Sequence, residues 1–446
     1  MTDVAGPVED GSPGASRRAL RAACIGNTVE WYDFAVFGSL AIVITPVFFP
    51  AEDSTSVLLA AFAVYATAFL MRPVGAVLFG RIGDLRGRRV VFSAVLLLMT
   101  GATVAVGLLP GYARIGVLAS VLVVVLRALQ GLAAGGEAGL ASVFITEHAA
   151  PGRRGATAAW QIATQGLGLA LGFGLAAVLI EVLPTADHPG WWRLAFVLAL
   201  PLGIVGFLLR RSTLESPHFV ALARRGATSS SPVTSLWREH RDGIVAGFAL
   251  AGTGALALNT MFVFVPNHVV ATTGRSLSTA LMTGSFGLVT AAGAALALGR
   301  LSDRTGRRPV VLTCLAALAV MAVPMAWLAA RGGLLALLAV QVLAGIAIGG
   351  ALSVAMVAEM FPTEVRVTGL AVASGLSSAL LGGTAPLVNQ SVVAATGFEL
   401  FPGVYVACAA VAALLVLRTW PETAFAPLRT ATVGRASPVA GEAPPS

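Results

Sequence analysis

Long apolar stretches alternate with short polar connections along almost the whole chain. Runs long enough to cross about 30 Å of hydrocarbon recur from residue 20 to residue 420. Charged and Gly/Pro breaks divide them into twelve predicted transmembrane helices, over residues 20–48, 57–80, 90–109, 115–147, 156–182, 192–210, 242–270, 278–299, 309–329, 333–360, 367–395 and 400–419. The pattern therefore predicts an all-α membrane protein.

Composition supports this interpretation. Of 446 residues, 57% are hydrophobic and 11% are charged, whereas a soluble domain carries about 25% charged residues. The three cysteines, Cys24, Cys314 and Cys408, lie inside predicted spans at no spacing that suits a metal. We therefore predict no metal site.

All 29 basic residues are arginine, and they concentrate in alternate connections. One side carries the arginines of 17–21, 81–89, 153–154 and 300–308, whereas the other connections carry only Arg114, Arg275 and Arg331. The positive-inside rule places both termini in the cytoplasm of a cell whose plasma (inner) membrane holds the chain. Because the arginines follow topology in this way, they do not indicate nucleic-acid binding.

One long polar interruption, 211–241, divides the predicted spans into two sets of six. We predict a cytoplasmic N-terminal tail (1–19), a first six-helix half (20–210), a cytoplasmic linker (211–241), a second six-helix half (242–420) and a disordered cytoplasmic tail (421–446).

The two halves repeat a loop motif at the same place. "GRIGDLRGRRVV" at 80–91 returns as "GRLSDRTGRRPVV" at 299–311, between the second and third predicted spans of each half. Three glycines of the fourth predicted span, Gly131, Gly135 and Gly136, recur in the tenth as Gly345, Gly349 and Gly350. The repeat predicts two pseudo-symmetric six-helix bundles.

The paired loops and the two six-span halves resemble the major facilitator superfamily. More narrowly, "GNTVEWYDFAVFG" (26–38), "FLMRPVGAVLFGRIGDLRGRR" (69–89) and "QGLAAGGEAG" (130–139) resemble the metabolite:proton symporters. That family includes bacterial carriers for α-ketoglutarate, citrate, shikimate and proline/betaine. The resemblance covers roughly residues 20 to 425 and implies the major facilitator fold.

Residues that repeat between the halves are expected to serve the shared mechanics of transport. In the superfamily, such groups hold the cytoplasmic side closed through ion pairs and helix-end contacts. Positive-inside topology alone would explain the arginines but not their acidic partners. The expected gating residues are Gly80, Asp84, Gly87, Arg88, Arg89, Glu147 and Arg154, with their counterparts Gly299, Asp303, Gly306, Arg307, Arg308, Glu359 and Arg366.

Two carboxylates of the first predicted span are candidates for proton binding. Glu30 and Asp33 lie at i and i+3, on one helical face near the middle of the membrane. Two carboxylates buried together favour proton uptake by one of them. We expect Asp33 to carry the coupled proton, followed by Glu30 and then by Glu137 of the fourth span. The alternative is that a carboxylate simply pairs with an arginine.

Substrate contacts are expected from polar residues that break the repeat. Arg127 is aligned with Gln341 when the two halves are compared. With Gly131 and Gly135, Arg127 also matches a superfamily pattern associated with proton coupling. We predict that Arg127 meets a substrate carboxylate, with a buried structural pair as the alternative. The further candidates are Arg72 and Arg193, each with a structural role as its alternative, and Tyr32, Gln161, Gln165, Asn259 and Asn389.

These features predict a secondary transporter in which protons drive uptake of a small organic acid, such as a dicarboxylate, by alternating access. Without a nucleotide-binding loop or any lysine, the chain does not suit an ATP-driven pump. We expect no enzymatic activity and no cofactor, and the partners to be the solute, protons and lipid, with a monomer as the working unit.

Two alternatives remain. One is uptake of a zwitterionic osmolyte such as proline or betaine, disfavoured by the short Pro-rich tail because osmosensing carriers of that kind bear a long heptad-patterned helix. The other is a drug/proton antiporter, disfavoured because the fifth span has no proline before Pro184.

Overall fold

The computed structural model describes residues 13–50, 53–86, 88–147, 149, 152–183, 190–211, 239–362 and 365–426. Within these ranges the chain is helical and contains no strand, and its helices coincide with the twelve predicted spans. In chain order, spans 1 to 6 are Pro13–Ser39 with Ala41–Phe48 (span 1), Ser54–Arg86 (2), Arg88–Leu108 (3), Val117–Glu147 (4), Arg154–Val182 (5) and Trp192–Val197 with Ala199–Arg211 (6). Spans 7 to 12 are Arg241–Leu258 with Asn259–Phe264 and Val265–Thr273 (7), Leu277–Thr305 (8), Arg307–Arg331 (9), Leu334–Ala351 with Val354–Glu359 (10), Arg366–Ser377 with Ser378–Gly383 and Ala385–Thr396 (11) and Phe401–Leu417 (12). A short helix, Tyr112–Ile115, precedes span 4.

Length and composition allow these helices to cross a bilayer. Among the described residues, eight helices are long and apolar enough to span it, and the two pieces of span 1 together form a ninth. Three shorter apolar helices, Ser93–Leu108, Trp192–Leu208 and Phe401–Leu417, belong to spans 3, 6 and 12. Large apolar side chains remain exposed on the outside, including Val320 and Leu335 at 74% and 80%, as a lipid-facing surface requires.

Several spans are not continuous α-helices, which hydropathy did not predict. Span 1 bends by 71° between Cys24–Ser39 and Ala41–Phe48. Spans 7 and 11 each contain a π-helical turn, at Asn259–Phe264 and Ser378–Gly383. Such turns are frequent at functional sites because they re-aim side chains, and transporters build their binding sites from interrupted helices.

Helix pairing repeats between the halves. In the first half, span 1 packs on span 5, span 2 on span 4 and span 3 on span 6. The corresponding pairs of the second half, 7 with 11, 8 with 10 and 9 with 12, pack in the same way. The halves meet mainly where span 5 packs on span 8 and span 2 on span 11. Together with the helix composition, this confirms the predicted fold of two pseudo-symmetric six-helix bundles.

The repeated glycines explain how span 2 packs on span 4, and span 8 on span 10. A Cβ at Gly131 would lie 1.9 Å from the carbonyl oxygen of Ala68, and one at Gly135 would lie 1.9 Å from that of Arg72. In the second half, a Cβ at Gly345 would lie 2.2 Å from the carbonyl oxygen of Gly287. Only glycine allows the two backbones to approach this closely.

Two predicted boundaries need comment. The first helix begins at Pro13, inside the predicted N-terminal tail (1–19), and its apolar part begins at Cys24. Proline suits the first position of a helix, and the boundary of the tail stays a prediction. The predicted linker, 211–241, lies between the helices that end at Arg211 and begin at Arg241, and residues 212–238 are outside the described part of the chain. Its role stays a prediction.

Gly131→Ala is expected to lower thermal stability, because the added Cβ would collide with the backbone of Ala68 and force spans 2 and 4 apart. Overpacking of this kind costs about 1–3 kcal/mol or more. The measurement is the apparent Tm of the detergent-purified protein, followed by size-exclusion chromatography after heating.

The matched control is Gly101→Ala in span 3, where the added Cβ meets no atom within 4 Å. Alanine is the better helix former by about 0.8–1 kcal/mol, so this variant should be neutral or more stable. Equal losses of Tm in the two variants would contradict backbone contact at Gly131.

Candidate functional site

A cavity lies between the two halves. Its volume is about 1260 Å³, counting the solvent at its mouth, and it is enclosed by parts of spans 1, 2, 4 and 5 of the first half and 7, 10 and 11 of the second. The polar residues on its wall are Asn27, Glu30, Arg72, Gln161, Gln165, Asn259, Ser353, Ser374 and Ser378. A cavity at the interface of two repeats is where this architecture holds its substrate.

An ion pair forms part of the cavity wall. The guanidinium of Arg72 on span 2 hydrogen-bonds to the carboxylate of Glu30 on span 1, and both residues are buried. Three aromatic rings surround the guanidinium, with their centroids 5.2 Å (Trp31), 4.7 Å (Phe34) and 4.9 Å (Phe69) from its central carbon. Desolvation of the two charges is offset by their mutual attraction and by cation–π contact.

A second carboxylate lies deeper, away from the cavity wall. Asp33 accepts hydrogen bonds from the hydroxyl of Thr103 and from the amide of Gln130, the latter at 3.0 Å. Arg127 donates to the other end of the Gln130 amide at 2.8 Å, and its Nη1 lies 3.9 Å from Asp33 Oδ2. Sequence reasoning missed Thr103 and Gln130, although Gln130 lies three residues from Arg127 on the same helix.

Glu30 and Asp33 therefore do not share one site, as their spacing suggested. Residues three apart on a helix differ by about 60° in direction. Glu30 accordingly reaches span 2 and the cavity, whereas Asp33 reaches spans 3 and 4. Each carboxylate has an arginine of its own, and the ring of Phe34 lies against both guanidinium groups, 4.7 Å from Arg72 and 5.3 Å from Arg127.

Arg127 does not line the cavity, contrary to our expectation of a direct substrate contact. Its side chain is completely buried in the first half, with its guanidinium 4.2 Å from the ring centroid of Phe37. Helical periodicity identified the inward face of span 4 correctly, but not which neighbour occupies it. Its Nε and Nη2 atoms have no hydrogen-bond partner among the described residues.

Three other predicted substrate contacts lie outside the cavity wall. Tyr32 donates to the carbonyl of Ala195 at 2.6 Å, which ties span 1 to span 6. Arg193 donates to the carbonyls of Gly107 and Leu109 at 2.7 and 2.8 Å, and so caps the end of span 3.

Asn389 donates to Thr260 Oγ1 at 3.1 Å inside the second half and is likewise absent from the cavity wall. Gln161, Gln165 and Asn259 do lie on that wall, as expected. The side chain of Glu137 is outside the described part of the chain, so its role stays a prediction.

Between the cavity and one membrane face, an aspartate of the second half binds a helix end of the first. Asp303 on span 8 accepts hydrogen bonds from the backbone N–H groups of Gly155 and Ala156, at 2.9 and 2.8 Å, in the first turn of span 5. An anion at a helix N-terminus is favoured by the unpaired N–H groups and by the helix dipole. We call this side, which carries residues 153–154, 300–308 and 359–366, the arginine-rich face.

Glu359 forms ion pairs with two arginines at the arginine-rich face. Its carboxylate lies 3.4 Å from Arg307 of its own half and 3.5 Å from Arg154 of the first half. Arg307 also pairs with Asp303 at 2.7 Å, and the buried Arg366 donates to the carbonyl of Ala358 at 3.1 Å. Asp303 and Glu359, whose positions positive-inside topology could not explain, thus join the two halves.

Glycines at two expected gating positions have geometric reasons. A Cβ at Gly299 would lie 2.8 Å from the carbonyl oxygen of Gly155 across the halves. Gly306 joins spans 8 and 9 with φ +104°, a conformation that side chains disfavour. Arg308 donates to the carbonyl of Arg418 and thereby ties span 9 to span 12.

Apart from Arg154, the first-half gating candidates lie where the structure describes no side-chain contacts. Gly87 and the side-chain environments of Gly80, Asp84, Arg88, Arg89 and Glu147 are outside the described part of the chain. Their gating role stays a prediction.

The start of the C-terminal segment is part of the arginine-rich face. Glu422 accepts from the backbone N–H groups of Arg307 and Arg308 at 2.7 and 3.0 Å, and Thr423 donates to Glu359 at 2.7 Å. The disordered tail predicted from residue 421 was therefore wrong for 421–426. Its Pro/Ala-rich composition gave no sign of these contacts, because their partners lie between 64 and 115 residues away.

The chain matches the model of one known protein family twice. The family described as "Sugar (and other) transporter" matches residues 19–230 and 223–433, one match for each half. Among solved structures, a proton:xylose symporter of the major facilitator superfamily superposes with a TM-score of 0.73 at 20% identity, over 93% of this chain and 98% of that one. At this identity the structural likeness supports the fold alone.

Curated relatives are similar along most of their length. A proline/betaine transporter of Escherichia coli (strain K12) is 32% identical, over 94% of this chain and 86% of the relative. A citrate-proton symporter of Klebsiella pneumoniae is 33% identical, over 90% and 91%. An alpha-ketoglutarate permease of Escherichia coli (strain K12) is 33% identical, over 89% and 92%.

Asp303→Asn is expected to open the arginine-rich face, because it removes the charge that holds the first turn of span 5. Hydrogen bonds to charged groups contribute about 1.5–3 kcal/mol, so the open population should rise by about tenfold or more. The measurement is the labelling rate of Gln165→Cys, on the cavity wall, by an impermeant maleimide in a background without the native cysteines.

Asp53→Asn is the control for this variant. Asp53 accepts from the backbone N–H and hydroxyl of Ser56, at 2.9 and 2.6 Å, and does not join the halves. Unchanged labelling in Asp303→Asn, or equal changes in both variants, would show that Asp303 does not close this face.

Glu422→Gln is expected to lower the Tm at neutral pH. Burial would raise the pKa of Glu422, but the backbone N–H groups of Ala424, Arg307, Arg308 and Thr423 outweigh it and hold the pKa below the ordinary 4.5. A depressed pKa means stabilisation that is present above pH 4.5 and is lost as the pH falls through the folded-state pKa.

The difference in Tm between wild type and Glu422→Gln should therefore shrink as the pH is lowered below 4.5. Glu399→Gln is the control, because Glu399 lies 3.5 Å from Arg331 but both side chains are more than half exposed, and such pairs contribute little. A difference that is independent of pH would contradict this role of the Glu422 charge.

Proposed function

Because the chain belongs to the Sugar (and other) transporter family of the major facilitator superfamily, we propose that it couples the uptake of a small carboxylate-bearing solute to protons by alternating access. It is a multi-pass membrane transporter and not an enzyme. The proposed driving force is the proton gradient, with no cofactor, and the proposed working unit is the monomer. The arginine-rich face would lie in the cytoplasm.

The ion pair of Glu30 with Arg72 on the cavity wall carries this proposal. While Glu30 is charged, it neutralises the one described cation on the wall. A proton on Glu30 removes that charge and leaves the guanidinium of Arg72 to bind a solute carboxylate through two parallel hydrogen bonds. Proton and solute then enter the cavity together, and neither binds well alone.

This mechanism places Glu30 ahead of Asp33 as the coupled carboxylate. Glu30 lies where both water and solute can reach it, whereas Asp33 is enclosed by Thr103, Gln130 and Arg127. In this proposal, Asp33 holds Arg127 and Gln130 in place behind the wall. Glu137 is kept as a third candidate.

The charge of the cavity favours a solute with a single carboxylate. Among the described wall residues, Arg72 is the one cation and Glu30 the one anion, and the remaining polar groups are amides and hydroxyls. With Glu30 protonated, the wall carries one positive charge, which matches one carboxylate. The aromatic face of Trp31 offers a surface to a solute cation. A zwitterion such as proline or betaine therefore fits best, in line with the proline/betaine relatives.

A dicarboxylate or tricarboxylate is the second candidate. It would need a further cation, and Arg127 lies directly behind Phe34 with unpartnered Nε and Nη2 atoms. The buried ring of Phe34 separates this guanidinium from that of Arg72, so a second solute carboxylate would reach Arg127 only after that ring is displaced. The citrate and alpha-ketoglutarate relatives support this reading.

Purified protein in proteoliposomes with an internal pH dye tests the proposal. Proline or glycine betaine should acidify the lumen, whereas α-ketoglutarate and citrate should not. Acidification with the acids alone would favour the second candidate. No response to any solute, with proton release on adding a lipophilic cation, would replace symport by antiport.

Glu30→Gln should retain solute exchange between the two sides and lose acidification, because the amide mimics the protonated carboxyl. Arg72→Lys should lose binding, because an ammonium cannot form the paired hydrogen bonds. Asp33→Asn is the matched comparison. If Asp33→Asn exchanges without acidification while Glu30→Gln still acidifies, then Asp33 is the coupled carboxylate and the assignment to Glu30 is wrong.

A further inference from the structure

Asn259 joins the cavity wall to the other half of the protein. It begins the π-helical turn of span 7, and its Nδ2 donates to the carbonyl of Ala255, one turn earlier, at 2.9 Å. This bond fixes the orientation of the amide. Its Oδ1 atom therefore points away from Ala255 and accepts a hydrogen bond of 2.8 Å from the hydroxyl of Tyr65.

Tyr65 reaches Asn259 from span 2, in the first half. Its ring is buried among Phe34, Phe69 and the guanidinium of Arg127, with centroid distances of 6.5, 5.2 and 5.8 Å. Tyr65 itself does not line the cavity, whereas Asn259 does. One end of this cross-half hydrogen bond is thus within reach of a solute, and the other is packed into the core that holds both arginines.

Further contacts beside this bond close the opposite face, by which we mean the membrane side away from the arginine-rich face. Asn267, further along span 7, donates to the carbonyl of Gly38 on span 1 at 2.9 Å. The rings of Phe62 and Phe264 lie 6.0 Å apart across the halves. A Cβ at Gly38 would meet Tyr65 and Val263 at 3.2 and 3.3 Å, so the halves fit tightly here. Separation of spans 2 and 7 requires the bond between Tyr65 and Asn259 to break.

We propose that the hydroxyl of Tyr65 is a positioning group that biases the opposite face towards closure while the cavity is empty, and that a solute with an N–H or O–H donor stabilises the open state by taking the Oδ1 atom of Asn259. The effect of the solute rests on the function proposed above; the closing role of Tyr65 does not. A solute that occupies Asn259 satisfies its acceptor, so the buried amide does not lose a hydrogen bond when the halves part.

The proposal distinguishes two solutes of the same charge. The ammonium group of proline carries N–H donors, whereas the quaternary ammonium of glycine betaine carries none. Proline should therefore replace the bond and glycine betaine should not, so glycine betaine should be carried more slowly than proline, although both can place a carboxylate on Arg72.

Cysteine accessibility tests the closing role without any solute. Val263→Cys, buried beside Gly38, is placed in a background without the native cysteines and labelled with an impermeant maleimide added at the opposite face. Tyr65→Phe should raise the labelling rate about fivefold, which corresponds to a neutral hydrogen bond of about 1 kcal/mol.

Tyr32→Phe is the matched control, because it also removes a buried tyrosine hydroxyl bond, to the carbonyl of Ala195, but within the first half. Its labelling rate should equal that of the parent. No increase in Tyr65→Phe, or equal increases in the two variants, would overturn the proposal.

Asn259→Ala provides a second route, which keeps the proposal testable if Tyr65→Phe does not fold. It should also raise labelling, and the double variant should show no further increase, because both changes remove the same bond. Additive effects would mean that the two residues act independently and would overturn the proposal.

Solute addition to the parent then separates the two proposals. Faster labelling with proline, but not with glycine betaine, supports opening through Asn259; equal acceleration by both overturns it. If no solute acidifies proteoliposomes, the proposed function fails, while the labelling of Tyr65→Phe still decides the closing role.

Discussion

A charged side chain inside a bilayer is stable only beside a partner of opposite charge, and this constraint organises the first half of the protein. Arg72 and Arg127 could not be buried without Glu30 and Asp33, both of which lie on span 1. The two pairs tie span 1 to spans 2 and 4, and the ring of Phe34 fills the space between the guanidinium groups. A proton on either carboxylate would remove the charge that stabilises its arginine, so the function proposed above uses the same interaction that holds these helices together.

The second half has the same helix pairing, but different side chains lie between the paired helices. Gln341, opposite Arg127 in the repeat, donates to the carbonyl of Met261 at 3.0 Å, a neutral contact between spans 10 and 7. The buried charged residues described in this half, Arg307, Glu359 and Arg366, lie instead at the arginine-rich face, where Asp303 and Glu359 meet span 5. Among the described residues, the first half thus buries its charges in the membrane interior and the second half buries them at the arginine-rich face, although the two halves share one arrangement of helices.

Much of this architecture could be predicted from the sequence. Apolar runs located the spans, and the repeated glycines anticipated helix pairs whose backbones touch, since Gly131 and Gly345 occupy equivalent contacts. Neighbour identity could not be predicted. A turn of about 60° between Glu30 and Asp33 sends them to different helices, and neither hydropathy nor charge marks Thr103, Gln130 or Tyr65 as partners. Glu422 was missed because its partners are backbone N–H groups in the first turn of span 9, more than a hundred residues earlier in the chain.

The backbone contact between spans 2 and 4 has a consequence for how the carrier can move. The carbonyl of Arg72 lies against Gly135, and that of Ala68 against Gly131, so these two helices form a rigid body without room to slide. Arg72 and Arg127 both belong to this rigid body, so the distance between their backbones stays constant. Span 1 packs on span 5 almost as closely, since a Cβ at Gly168 would lie 2.4 Å from the carbonyl oxygen of Thr28. Glu30 and Asp33 lie on the N-terminal side of the 71° bend of span 1, so a change of angle at that bend would displace Ala41–Phe48 and leave both ion pairs intact.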